Sequence, residues 1–150
     1  MITIRKARPD DWETITYFQL RMASETEGIQ LDHAVLSEGV RSVFAQPSKG
    51  FYLVAENENQ ILGSLMVTFE WSDWRNRQIY WIQSVYVLPN FRNQGIYRSL
   101  YNYVVSLAEQ SDEVGGIRLY VDRSNLSAQQ VYSRLGMNGE HYQVFEWMKP

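Results

Sequence analysis

The sequence predicts an α/β fold, an α+β mixed sheet with helices packed on its faces. Three observations predict it. Residues 51–56 and 61–71 are strand-like runs joined by four polar residues, Asn57 to Gln60, which is the pattern of an antiparallel hairpin. Residues 79–88 are apolar on both faces, which suits a central strand covered on two sides. Two helical stripes follow: Ile96, Leu100, Tyr103, Val104 and Leu107, then Ala128, Val131, Tyr132 and Leu135. Strands paired by short loops therefore precede a strand–helix–strand–helix–strand half, and the expected order is β-α-α-β-β-β-α-β-α-β.

Each element has its own warrant. Residues 2–8 alternate and read as a first strand. Asp10 followed by Glu13 resembles a capping box, which starts a helix expected to reach about Ser24. Gly28 breaks that pattern, and Asp32 can cap a second helix with Leu36, Val40, Val43 and Phe44 on its apolar side. Residues 46–50 form a loop with Pro47 and Gly50, and residues 72–76 form another. Gly115 and Gly116 lead into a strand at 117–121. The last helix stops at Gly136, and residues 142–148 read as a final strand.

At 150 residues the chain is expected to be one domain, 1–150, large enough for an ordinary core. No apolar run approaches a bilayer span, and no basic and apolar leader opens the chain, so a cytoplasmic protein without membrane contact is expected. The absence of cysteine excludes disulfides, a thiol nucleophile and thiolate metal sites. His33 and His141 lack ligand spacing, so no metal is expected. A net charge of −3 gives no reason to expect nucleic acid. Charge is nevertheless uneven. Glu25, Glu27, Asp32 and Glu38 lie in a stretch without Lys or Arg, whereas Arg75, Arg77, Arg92 and Arg98 lie in one without acids. That asymmetry is either ordinary solvated surface or an acidic mouth for a cationic amine opposite a basic side for an anionic donor. A homodimer is left open.

The run from Val85 through Arg98 carries the most chemistry. It reads as a buried strand, a turn containing Gly95, and the first turn of a helix. The first N–H groups of a helix lack intrahelical partners and carry partial positive charge, so they can wrap a phosphate. The dinucleotide and nucleotide-triphosphate glycine motifs are absent. The order Arg92-Asn93-Gln94-Gly95-Ile96-Tyr97 resembles the Q/R-x-x-G-x-G/A signature of the GNAT superfamily, the acyl-CoA-dependent N-acyltransferases. A second segment, from Leu119 to Met137, resembles the strand and N-x-x-A-x-x-x-Y-x-x-x-G-[FM] run of the same family, with Asn125, Ala128, Tyr132 and Gly136 in register. The motif-bearing part lies in residues 79–148, and the likeness extends over roughly the whole chain.

The resemblance implies a GNAT-like fold and an N-acetyltransferase that uses acetyl-CoA as co-substrate. It places the backbone N–H groups of Gln94, Gly95, Ile96 and Tyr97 around the pyrophosphate, with Arg92 and Asn93 beside it. It lays the pantetheine arm along Val85 and Val87, where an N–H would also face the thioester oxygen. Asn125 would contact that arm, a role compatible with capping its helix. Tyr132 would protonate the departing thiolate. Tyr97 departs from the family pattern, since Gly or Ala is usual there; its side chain must turn away from the phosphates.

Acyl transfer to an amine also needs a neutral nucleophile. A free alkyl amine of pKa about 10.4 is only about 0.1% neutral at pH 7.4, a gap worth roughly 4 kcal/mol. Many relatives carry a glutamate on the strand that here holds Trp81, Ile82, Gln83 and Ser84, none of them acidic. Glu70 is the nearest candidate, and a water chain through Gln83 or Ser84 is the other. Trp71, Trp74, Tyr80 and Trp81 gather near Glu70 in sequence, either as sheet packing or as an acceptor pocket for an amine's stem. The acceptor is a small-molecule amine or a protein amino group. The rival readings are a non-catalytic acyl-CoA-binding module and a regulator that acetylates a macromolecule.

Overall fold

The computed structural model describes residues 1–150. β1 (Thr3–Lys6) leads through a short 3-10 turn, Pro9–Asp11, into α1 (Trp12–Glu27). Then come α2 (His33–Ala45), β2 (Phe51–Glu56), β3 (Ile61–Ser72), β4 (Arg77–Val87), α3 (Ile96–Glu109), β5 (Val114–Arg118) and α4 (Leu126–Arg134). The chain divides into two compact units, Met1–Arg118 and Leu119–Pro150.

The first unit holds a five-stranded sheet in the order β1-β2-β3-β4-β5. The first three pairings are antiparallel and the last, β4 with β5, is parallel, so the sheet is mixed as expected. The predicted hairpin turn forms because Asn57 Oδ1 accepts from the N–H groups of both Asn59 and Gln60, each at 2.9 Å. One face of the sheet presents Tyr52, Val54 and Met66 to α1 and α2, where Ile15, Val40 and Val43 complete the cluster. Leu53, Leu65 and Val67 point the other way and are fully buried. α3 covers that face with Ile96, Leu100 and Val104.

A bulge in β4 decides what lies near its end. Met66 pairs with Gln83 and Ser64 pairs with Tyr86, so Ser84 and Val85 together face Leu65. One extra residue resets the alternation beyond it. Tyr86 consequently points to the α1 side, its ring 5.2 Å from that of Phe18. Gly63 pairs with Val87, the next residue, and a Cβ there would come within 2.8 Å of the Tyr86 carbonyl oxygen.

Three local expectations are corrected. Asp10 is not the cap of α1: it lies in the 3-10 turn, and Asp11 occupies the cap position. Asp11 spends its carboxylate elsewhere, accepting from the Arg8 N–H at 2.7 Å and pairing with Arg5 at 2.8 Å. α1 also runs past Ser24 to Glu27, ending where Gly28 turns left-handed at φ 63°. β5 starts earlier than expected, with Gly115 and Gly116 inside it rather than before it. A Cβ at Gly115 would meet Arg77 Cβ at 3.3 Å, so small residues suit that close approach.

The second unit, by itself, holds α4, begun by Asn125, whose Oδ1 accepts from the Ala128 N–H at 3.0 Å. The expected strand at 142–148 does not form within this unit. A strand needs a ladder partner for its backbone, and Leu119–Pro150 contains no second strand to supply one.

Candidate active site

The strand–turn–helix at the end of β4 is built as an anion receptor. A 3-10 turn, Pro89–Phe91, follows the strand; Asn93 then adopts φ 62° and Gly95 φ 81°, both left-handed. Gly95 occupies the cap position of α3 without a side-chain cap, and the first turn carries no acid. The first intrahelical bond there is from Ser99 N–H to the Gly95 carbonyl, at 3.0 Å, so the N–H groups before it have no intrahelical acceptor. The space around a Gly95 Cβ is open, so glycine is required here by the backbone angle rather than by crowding. The donor set, uncapped and free of negative charge, fits a phosphorylated ligand. Tyr97 turns down the helix toward Tyr101, ring centroids 6.4 Å apart, as its bulk requires.

Arg92 stands at the start of this loop and braces it. Its Nε donates to the Val87 carbonyl at 2.8 Å, and its Nη2 reaches Glu25 Oε1 at 3.0 Å. The guanidinium also lies 5.3 Å from the Tyr86 ring centroid. Glu25, near the end of α1, accepts from the Tyr86 hydroxyl at 2.5 Å through its other oxygen. The Tyr86 hydrogen bond, partly offset by burial and aided by Arg92, holds the Glu25 carboxyl below its ordinary range. Burial first, then the bond to Glu25, pushes the Tyr86 phenol up. Glu25 was legible only as part of an acidic stretch. Arg21, one helical turn earlier at 3.5 Å, is a local partner, but Tyr86 and Arg92 lie 61 and 67 residues away, beyond any local signal.

Along β4 the ladder with β5 covers Gln78 to Trp81, and beyond it β4 has no β5 partner within Met1–Arg118. Val85 and Val87 lie in that stretch. Ser84 holds the left-handed angle φ 57°, unusual for a residue with a side chain. Its carbonyl accepts from the side-chain amide of Gln19, on α1, at 3.1 Å. Gln83 donates to Thr68 Oγ1 at 2.8 Å.

Glu70 lies on β3 beside Trp81. One oxygen, Oε1, accepts from the Trp81 indole and from Arg118, each at 2.8 Å. The indole bond, opposed by partial burial and reinforced by Arg118, keeps the carboxyl below its ordinary range and therefore ionised at neutral pH. Trp81 is thus brought to Glu70, but the other rings are not. Trp71, next along β3, points to the opposite face, and Trp74 lies exposed in the turn after it. Tyr80 packs with Phe51 and Phe69 on that opposite face. In the second unit, Asn125 caps α4 and Tyr132 sits two turns further on. No group of three His, Asp or Glu side chains is placed to hold a metal ion.

A bulged strand that feeds an uncapped helix start defines a strand–helix junction with the backbone chemistry to receive an anion. Residues 10–137 match the acetyltransferase (GNAT) family, and the chain belongs to it. It is an acyltransferase with the mixed α/β fold of that family. A possible acetyltransferase from Clostridium difficile 630 is 39% identical, covers 100% of this chain with 99% of its own, and has a TM-score of 0.93. A predicted acetyltransferase from Clostridium acetobutylicum, solved with acetyl-CoA, shares the fold at 20% identity, with 97% and 96% of the two chains covered and a TM-score of 0.77. An aminoglycoside acetyltransferase from a soil metagenome, solved with sisomicin, does so at 18% identity, 99% and 96% coverage and a TM-score of 0.79. No curated protein matches the sequence. No helix is long and apolar enough to cross a membrane.

Proposed function

We propose that the chain transfers an acetyl group from acetyl-CoA to a primary amine, by direct attack within a ternary complex in the cytoplasm. The observation that carries this reading is the start of α3, uncapped, without acid, and entered through two left-handed residues. There the N–H groups of Gln94, Gly95, Ile96 and Tyr97 bind the donor's diphosphate. Val85 and Val87 offer backbone groups to the pantetheine arm, and Asn125 adds its amide. With no cysteine in the chain, a thiol-bound intermediate has no carrier. Both units serve this one activity, since the family match runs from residue 10 to residue 137 and crosses from one unit into the other.

Glu70 draws the protonated amine by its charge and takes the proton through water. Its lowered pKa makes it a weak base, so its contribution is largest in keeping an anion beside the acceptor at neutral pH. Trp81, held by Glu70, lines the acceptor's path, with Trp71 and Trp74 at its margin. Tyr132 returns a proton to the leaving sulfur through its phenol hydroxyl, a group able to donate one. Of the acidic stretch, Glu27, Asp32 and Glu38 favour a cationic acceptor, while Glu25 is held by Arg92 and Tyr86.

A panel of amines, polyamines, aminoglycosides and peptides with free amino termini tests this reading. Thiol release from acetyl-CoA together with a product heavier by one acetyl group is the expected result, with intersecting initial-rate lines. Stoichiometric acetyl-CoA binding without turnover on any amine would contradict it.

A further inference from the structure

Gln19 is one of two polar residues, with Thr16, buried on α1 among Ile15, Phe18 and Ala23. It is 5% exposed, next to Phe18, and its amide is spent on a single backbone oxygen, that of Ser84. Ser84 is the one non-glycine residue of β4 with a left-handed φ, and it lies in the bulge facing Leu65. An ordinary strand carbonyl would point along the sheet to a neighbouring strand. This one points out of the sheet to α1. Every peptide bond in the chain is trans, so the carbonyl of one residue and the N–H of the next face opposite ways. Fixing the Ser84 carbonyl toward α1 therefore fixes the Val85 N–H away from it, in the stretch of β4 that has no β5 partner within its unit.

We propose that Gln19 is a positioning residue for acyl transfer. By holding the Ser84 carbonyl, it aims the Val85 N–H at the acyl oxygen of the donor. This rests on the reading that the acyl arm lies along Val85. It adds a residue from α1 that makes no contact with the donor. The demand for it follows from the strain at Ser84. A serine leaves the left-handed region readily unless something holds it, and rotation of this peptide would carry the N–H off target. A backbone donor stabilises developing negative charge only if it is already oriented when the charge appears.

Gln19→Met keeps the volume and removes the donor; Gln19→Asn keeps the amide but shortens its reach. Both should lower kcat by roughly 10- to 100-fold, a partial form of the loss seen when an oxyanion donor is removed. KM for acetyl-CoA and the Kd of free coenzyme A, which has no acyl oxygen, should change less than about threefold, since the defect appears when charge develops. The carbonyl stretch of bound acetonyl-CoA, an unreactive ketone analogue, should lie at lower frequency in the wild type than in either variant. Equal kcat and an equal carbonyl frequency in folded variants would overturn the proposal. The wild type alone also tests it: the Val85 amide proton should move downfield when acetonyl-CoA replaces coenzyme A, and an unmoved Val85 signal overturns it even if both variants unfold. If coenzyme A itself fails to bind the wild type, the fault lies in the donor-site reading instead.

Discussion

The starts of α2 and α3 are made of the same backbone and treated in opposite ways. Asp32 closes α2: its Oδ1 accepts from the Val35 N–H at 3.0 Å, and its charge sits on the positive end of the helix. α3 begins with Gly95, has no side-chain cap and carries no acid in its first turn. A helix start left unsatisfied weakens the fold, so on the proposed reading the difference marks where stability is given up to keep donors available for a ligand. α4 falls with α2, because Asn125 caps it. On this account α4 contributes through a side chain on its body, Tyr132, rather than through its N-terminus.

The largest expected effect tests that last distinction. Tyr132→Phe keeps the ring and removes the hydroxyl. kcat should fall by about 10²–10⁴-fold, roughly 3–5 kcal/mol of barrier, with acetyl-CoA affinity altered less than about tenfold. The loss should shrink for a thioester whose thiol has a low pKa. Single-turnover kinetics that show full activity in Tyr132→Phe would make the residue a packing ring.

Next comes the open start itself. Acetyl-CoA at about 100 times its Kd should stabilise the wild type by roughly 2.7 kcal/mol, read as a rise in melting temperature. Gly95→Glu places bulk, charge and a strained left-handed angle at the donors and should remove that rise. Asp32→Ala is the mirror experiment. It should cost about 1 kcal/mol of stability by denaturant titration and leave the acetyl-CoA-induced rise intact.

The smallest effect concerns the brace behind the loop. Glu25 has its pKa lowered from an ordinary 4.5, so its bonds to Tyr86 and Arg92 stabilise the fold above that value and are lost as pH falls through the lowered one. Glu25→Gln should therefore lower the melting temperature slightly at pH 7. The gap to wild type should close as the pH drops below about 4.5. A gap that persists at low pH would mean that the brace is not electrostatic.

What the sequence revealed depended on how far apart the partners lie. The Asp32 cap, the Asn57 turn and the helical stripe of α3 are decided within a few residues, and all three were legible. The strand–turn–helix at 85–98 was legible because its strand, glycine and helix start are contiguous. The bulge at Ser84 and Val85 was not, because an extra residue is visible only against Leu65 on the neighbouring strand. For the same reason the sequence showed Arg92 only as a residue beside the expected pyrophosphate site and not its bonds to Val87 and Glu25. Asp10 misled because Asp11 and Arg5, from β1, compete for the start of α1. The strand expected at 142–148 has the right composition, but a strand is a property of a pair, and its own unit supplies no partner.

The claim that the open start of α3 holds the donor's diphosphate is tested most directly by two ligands and one variant. S-acetylpantetheine carries the acyl arm without the diphosphate. Titration calorimetry should show Gly95→Glu weakening acetyl-CoA by about 100-fold or more, roughly 2.7 kcal/mol, while S-acetylpantetheine binds wild type and variant alike. Equal weakening of both ligands, or of neither, would contradict the account.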